Sequence, residues 1–190
     1  MIFMNNRLFS PRFIFISLLI LFAAFSRIIP HMQNFSPLGA IGVFGAACFS
    51  KKWQSFMIPV AATFLSDLFI NNVIYGQYNT GFVWFYEGFY WQYGSYLVIT
   101  LAALFIVNRI SAPRILIGAL SSTAIFFLIS NAGCWVGNPA YTQDLGGLMN
   151  CYAAGIPFLK GTLLGDLCYS GVLFGAFYLA QRRVPALVKA

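Results

Sequence analysis

Two aspartates, Asp67 and Asp166, lie inside long apolar stretches, and each closes a T-x-L-small-D segment: Thr63-Phe-Leu-Ser-Asp67 and Thr162-Leu-Leu-Gly-Asp166. A charged side chain at the centre of a bilayer costs about 2.5–3.5 kcal/mol on insertion scales, so it turns toward a bundle interior or toward water. On a helix, the i, i+4, i+8 spacing places Thr63, Asp67 and Asn71 on one face, and Thr162, Asp166 and Ser170 on the matching face of the second segment. Such faces can line a polar cavity for a solute or a coupling ion. They can also cap neighbouring helices or pair with Arg27 or Lys160. Because each segment falls in the third helix of its half, the echo between them predicts a 3+3 inverted repeat.

A second group of polar residues gathers between the apolar stretches. Arg27, His31 and Asn34 border an irregular connection, Pro30-His31-Met32-Gln33-Asn34-Phe35-Ser36-Pro37. The segment from Tyr75 to Tyr93 is crowded with aromatic residues, Trp84 among them, more than an interfacial belt requires. Asn131 and Trp135 open a third decorated connection ending near Tyr152, in which Cys134 and Cys151 could form a disulfide clip. No cysteine–histidine cluster has zinc spacing, His31 is the sole histidine, and no phosphate-binding glycine loop or serine nucleophile elbow is present. These residues therefore predict binding without enzyme chemistry, cofactor or metal.

The elements that must position them follow from composition. Sixty per cent of the 190 residues are hydrophobic and 8% are charged, against about 25% charged in soluble domains. Mean hydropathy is +0.79. A water-facing surface cannot be made from so few charges, and continuous apolar runs favour helices over an alternating barrel. The expectation is an all-α polytopic membrane protein, one integral domain over residues 1–190. Its six transmembrane helices fall at about 13–29, 37–49, 53–70, 91–107, 115–135 and 153–180. The first is read as an uncleaved helix, the second as short and glycine-rich, the third as bent at Pro59, and the last as interrupted near Pro157. Small-xxx-small pairs at Gly42/Ala46, Gly161/Gly165 and Gly171/Gly175 predict close helix packing.

Charge sets the orientation. Arg7 and Arg12, Lys51 and Lys52, Arg109 and Arg114, and Arg182, Arg183 and Lys189 all fall on one side of a six-helix chain. The positive-inside rule then puts both ends in the cytoplasm, with the long decorated connections facing out. A net charge of +7 spread singly between apolar blocks anchors topology and does not form a nucleic-acid stripe.

Arg27-Ile-Ile-Pro-His31, Asn34-Phe-Ser-Pro37, Ser66-Asp67, Cys151-Tyr-Ala-Ala-Gly-Ile-Pro157 and Thr162-Leu-Leu-Gly-Asp166 together resemble a bacterial membrane family described as transport proteins, over roughly residues 20–180. That family is similar in size and helix number to the substrate-binding S components of energy-coupling factor transporters. The resemblance implies a vitamin-like or heteroaromatic ligand bound near the outer surface, a transmembrane scaffold partner and cytoplasmic ATPases, in a bacterial inner membrane. S components dock their scaffold through an alanine-xxx-alanine patch on helix one, whereas here Ala23 is followed four places later by Arg27.

The leading expectation is thus a solute-binding or uptake component whose ligand meets Arg27, His31, Asn34, Asp67, Asn71, Trp84, Asn131, Trp135, Lys160, Thr162 and Asp166. One alternative is a structural subunit of a larger membrane assembly, with the buried polar groups only pairing helices. Another is a cation-coupled secondary transporter using Asp67 and Asp166.

Overall fold

The computed structural model describes residues 10–188; Arg7 and Lys189, counted above on the basic side, lie outside the described residues. Six helices follow one another: α1 Pro11–Phe25, α2 Leu38–Cys48, α3 Lys52–Phe69, α4 Phe89–Ile106, α5 Ala112–Trp135 and α6 Leu145–Arg183. A 3-10 turn, Ser26–Ile28, prolongs α1, and a π turn, Ile70–Ile74, prolongs α3. Among the described residues no strand occurs, and five of the helices are long and apolar enough to cross a membrane.

The bundle holds a set of polar side chains within an apolar core and turns many large apolar side chains outward. Thr63, Ser66, Asp67, Ser95, Thr100, Ser122, Thr123, Asp166 and Ser170 are all buried, while Phe22, Phe105, Leu128, Val172 and Leu179 face outward. So many exposed large apolar side chains are rare on water-soluble domains and are of the kind that membrane helices carry.

The short helix, α2, occupies the centre. At about 1.5 Å per residue it spans roughly 16 Å, against roughly 27 Å for α1 with its extension. Nearly every residue of α2 is buried, and it packs against all five other helices. Its glycines make this possible, each meeting a different neighbour. A side chain at Gly39 would overlap Ser122 of α5 and Asp166 of α6, one at Gly42 would press on Thr100 of α4, and one at Gly45 on Pro59 of α3. The Ser36 hydroxyl accepts the Leu38 amide N–H at 3.4 Å, and Pro37 stands at the N-cap, so the helix opens one residue later than expected.

The far end of α2 is closed by a buried cation. Arg12 donates from Nη2 and Nε to the Cys48 carbonyl, at 2.8 and 3.2 Å, and from Nη1 to the Leu187 carbonyl at 2.7 Å; its guanidinium also lies 5.0 Å from the centre of the Phe177 ring. These bonds put the start of α1, the α2–α3 turn and the end of the chain at the same end of the bundle. Arg12 is therefore a packing residue as well as part of the basic side.

Helix α6 differs from expectation in two respects. α6 begins at Leu145, not near residue 153, because Asp144 accepts the Gly147 amide N–H at 2.8 Å and the Thr142 hydroxyl at 2.8 Å, a local N-cap. These donors, the Gly147 amide foremost, hold the Asp144 carboxyl below its ordinary value. The helix then runs through Pro157 without interruption. Proline removes a single amide N–H, and the rest of the ladder carries the helix on. The third connection thereby shrinks to residues 136–144.

Replacing Arg12 with Met should lower stability by about 2–4 kcal/mol, because two buried carbonyls lose charged donors. Arg12→Lys should recover only part, since one ammonium cannot span both. Unfolding midpoints in detergent measure this; an unchanged midpoint for Arg12→Met would contradict it.

Candidate functional site

Residues 29–37 do not continue α1 or α2 but run along α6. The backbone is admitted by two glycines: a side chain at Gly161 would strike the Gln33 carbonyl, and one at Gly165 would strike Ser36. This pair was expected to bring two helices together; it seats a loop. Gly42 does serve a helix contact, whereas Gly171 and Gly175 have nothing close to them. Asn34 takes the left-handed conformation, φ 60°, which asparagine tolerates better than most residues.

The loop leads to the amino end of α2, where its unpaired amides would otherwise be buried without partners. Asp166 meets them. Its carboxylate lies against Gly39, faces the Ala40 amide N–H and the Ser122 hydroxyl, and accepts the Thr123 hydroxyl at 2.8 Å. The residue is 1% exposed. A carboxylate there also complements the positive end of the helix dipole.

Asp67 does different work. Arg27 Nη1 donates to it at 2.6 Å and to the Ser66 hydroxyl at 3.0 Å, and the Tyr93 hydroxyl donates to its other oxygen at 2.8 Å. Asp67 is buried and Arg27 partly so, with side-chain exposures of 6% and 18%. Arg27 Nε and Nη2 have no hydrogen-bond partner in the protein among the described residues, and Arg27 lines a cavity.

That cavity, about 290 Å³, is walled by Arg27 at the end of α1, by His31, Asn34 and Ser36 of the loop and by Leu38 and Gly39 at the start of α2. Ile70 and Tyr75 beyond α3, Gln92 and Tyr96 of α4, Phe126 of α5, and Thr162 and Asp166 of α6 complete it. Tyr96 and Phe126 stack nearly parallel, centroids 5.8 Å apart and planes 3° from one another. The Gln92 carbonyl oxygen accepts the Tyr86 hydroxyl at 2.9 Å and the Tyr96 hydroxyl at 3.4 Å, which leaves its amide nitrogen as a donor. Burial, and then the Asp67 charge, push the Tyr86 phenol up, so it remains a donor. A second cavity of about 220 Å³ adjoins the first, sharing Asn34, Gln92, Phe126 and Thr162 and adding Ser130, Asn131 and Cys134.

Of the residues expected at a site, Arg27, His31, Asn34, Asn131, Thr162 and Asp166 line these cavities, and Asp67 stands behind Arg27. The others lie elsewhere. Asn71 falls in the π turn, whose wider winding breaks its i+4 register with Asp67, and its carbonyl accepts the Asn79 amide. Trp84 is exposed and packs on Phe82; Trp135 donates to the Thr142 carbonyl and ties the last connection; Lys160 is exposed and lines neither cavity. Cys134 and Cys151 are free thiols whose side chains interact, with Cys151 Sγ donating to the Asn131 carbonyl at 3.4 Å. Gln92, Tyr96 and Phe126 were not anticipated. For Gln92 and Tyr96 the signal was the series Gln92, Tyr96 and Thr100, hydrogen-bonding side chains at four-residue spacing on one face of α4.

These features define an all-helical bundle of the membrane-helix type, apolar outside, with a polar cavity at the buried end of a half-length helix. The chain belongs to the family of unknown function DUF6580, whose family model matches residues 7–187. No curated protein and no solved structure matches it.

Asp67→Asn leaves the Arg27 guanidinium without its counter-ion and should cost about 1–3 kcal/mol, below the figure for a fully buried pair because Arg27 is partly open. Adding Arg27→Gln should restore much of the loss. Thermal unfolding of the two single variants and the double variant reads the coupling, and strictly additive losses would contradict the pairing.

Proposed function

We propose that this protein is a multi-pass membrane component that binds a small solute for uptake, in a bacterial inner membrane, with both ends in the cytoplasm. The observation that carries the reading is the cavity at the amino end of α2. Irregular backbone and a buried helix end at mid-bundle depth are tolerated in a membrane protein only where they line a cavity or are covered by protein, and solute sites of transporters are commonly built there. Its size, near 300 Å³, and its mixture of one stacked aromatic wall with a few convergent polar groups suit a small flat solute.

The orientation rests on the basic residues. Arg12, Lys51 and Lys52 gather at the end of the bundle opposite the cavity, and positive residues are retained in the cytoplasm. The loop and its cavity then face outward. Transport by this arrangement requires a scaffold partner and cytoplasmic ATPases, as in the S components that the sequence resembles.

A structural role in a larger assembly is the second reading, favoured by one observation: both carboxylates already have protein partners. The cation-coupled reading is weaker on the same ground, since Arg27 already neutralises Asp67.

Native mass spectrometry of the protein in lipid nanodiscs tests the proposal. Uptake predicts a co-purified small molecule, lost by about tenfold or more in affinity when Tyr96 and Phe126 are both replaced with Leu. Folded protein with no bound solute, recovered in fixed stoichiometry with a large assembly, would favour the structural role.

A further inference from the structure

The larger cavity carries opposite chemistry on its two sides. On the loop side, Arg27 is held by Asp67 through Nη1 alone, which leaves Nε and Nη2 as an unpaired planar edge. On the α6 side, Asp166 supplies an acceptor whose neighbours are hydroxyls and a backbone amide, with no cation within ion-pair distance among the described residues. The start of α2 supplies about half a positive charge there, so it offsets only part of a full carboxylate charge. The stacked Tyr96 and Phe126 rings line the same cavity.

We infer that the cavity selects a dipolar flat solute, with an anionic acceptor group turned toward Arg27 and a nitrogen donor group turned toward Asp166. This rests on the solute-binding reading and narrows it. A guanidinium edge matches a carboxylate with two parallel donors, and a carboxylate with no cation beside it favours a ligand that brings a charged donor. A singly charged solute satisfies one side and leaves the other unanswered. A neutral one meets each side only with weaker, uncharged hydrogen bonds.

Arg27 remains held in this scheme. Its bond to Asp67 fixes the guanidinium and neutralises one charge, so the exposed edge is aimed without the flexibility of a free arginine. Tyr93 and Ser66 hold the pair in turn.

Four probes of one ring size separate the possibilities: 4-amidinobenzoate, which carries both groups at opposite ends, benzoate, benzamidine and benzamide. Affinities are measured by calorimetry on the full chain in nanodiscs. The dipolar probe should bind about tenfold or more tighter than either singly charged one. Asp166→Asn should abolish its advantage over benzoate, because the amidinium then meets no carboxylate. Arg27→Lys, which keeps a cation for Asp67 but removes the planar edge, should abolish its advantage over benzamidine and serves if Asp166→Asn does not fold. Equal binding of all four, or a singly charged probe as tight as the dipolar one, overturns this inference and leaves a cavity for flat solutes. No binding of any probe by folded protein overturns the solute-binding reading itself.

Discussion

A helix of eleven residues cannot cross a bilayer, and a buried one leaves unpaired amides at one end and unpaired carbonyls at the other. Both ends of α2 are answered by charge brought from other helices. Asp166 of α6 stands at the amino end, and Arg12 of α1 bonds the carboxyl-end carbonyl of Cys48. Each has the sign that the helix dipole favours. The remaining helices surround this capped rod, and the three glycines of α2 let them approach it from different directions.

The cavity follows from the same constraint. Because α2 stops short, residues 29–37 must complete the path, and their backbone settles on α6 where Gly161 and Gly165 leave room. A loop fills space less regularly than a helix, and what it leaves is bounded by polar groups: Arg27 from the end of α1, Gln92 from α4, Thr162 and Asp166 from α6. The acid that finishes α2 is thus also a wall of the cavity. Structural and binding roles coincide in Asp166, so a loss of folding on its substitution does not by itself distinguish them.

Much of this was legible in the sequence, and the failures have physical causes. Six helices, the shortness of the second and the inward burial of both aspartates followed from hydropathy and the expense of placing charge in hydrocarbon. The alternative that the aspartates pair with Arg27 or cap a neighbouring helix describes their contacts well: Asp67 does the first and Asp166 the second. What could not be read was how short segments bend. The π turn that displaces Asn71 and the Asp144 cap that starts α6 early depend on local hydrogen bonds, and the glycine pair at 161 and 165 has one spacing whether it meets a helix or a loop. Gln92 and Tyr96 were overlooked because aromatic and amide residues near helix ends are common at membrane interfaces, where they carry no ligand.

The central claim is that the cavity at the buried end of α2 opens to the outside. Thr162 lines both cavities and its hydroxyl has no hydrogen-bond partner among the described residues, so it is a suitable reporter. With the native cysteines replaced and Thr162→Cys introduced, a membrane-impermeant thiol reagent applied to intact cells should label the protein. Labelling only after the cytoplasmic side is opened, or none at all on folded protein, would contradict the account.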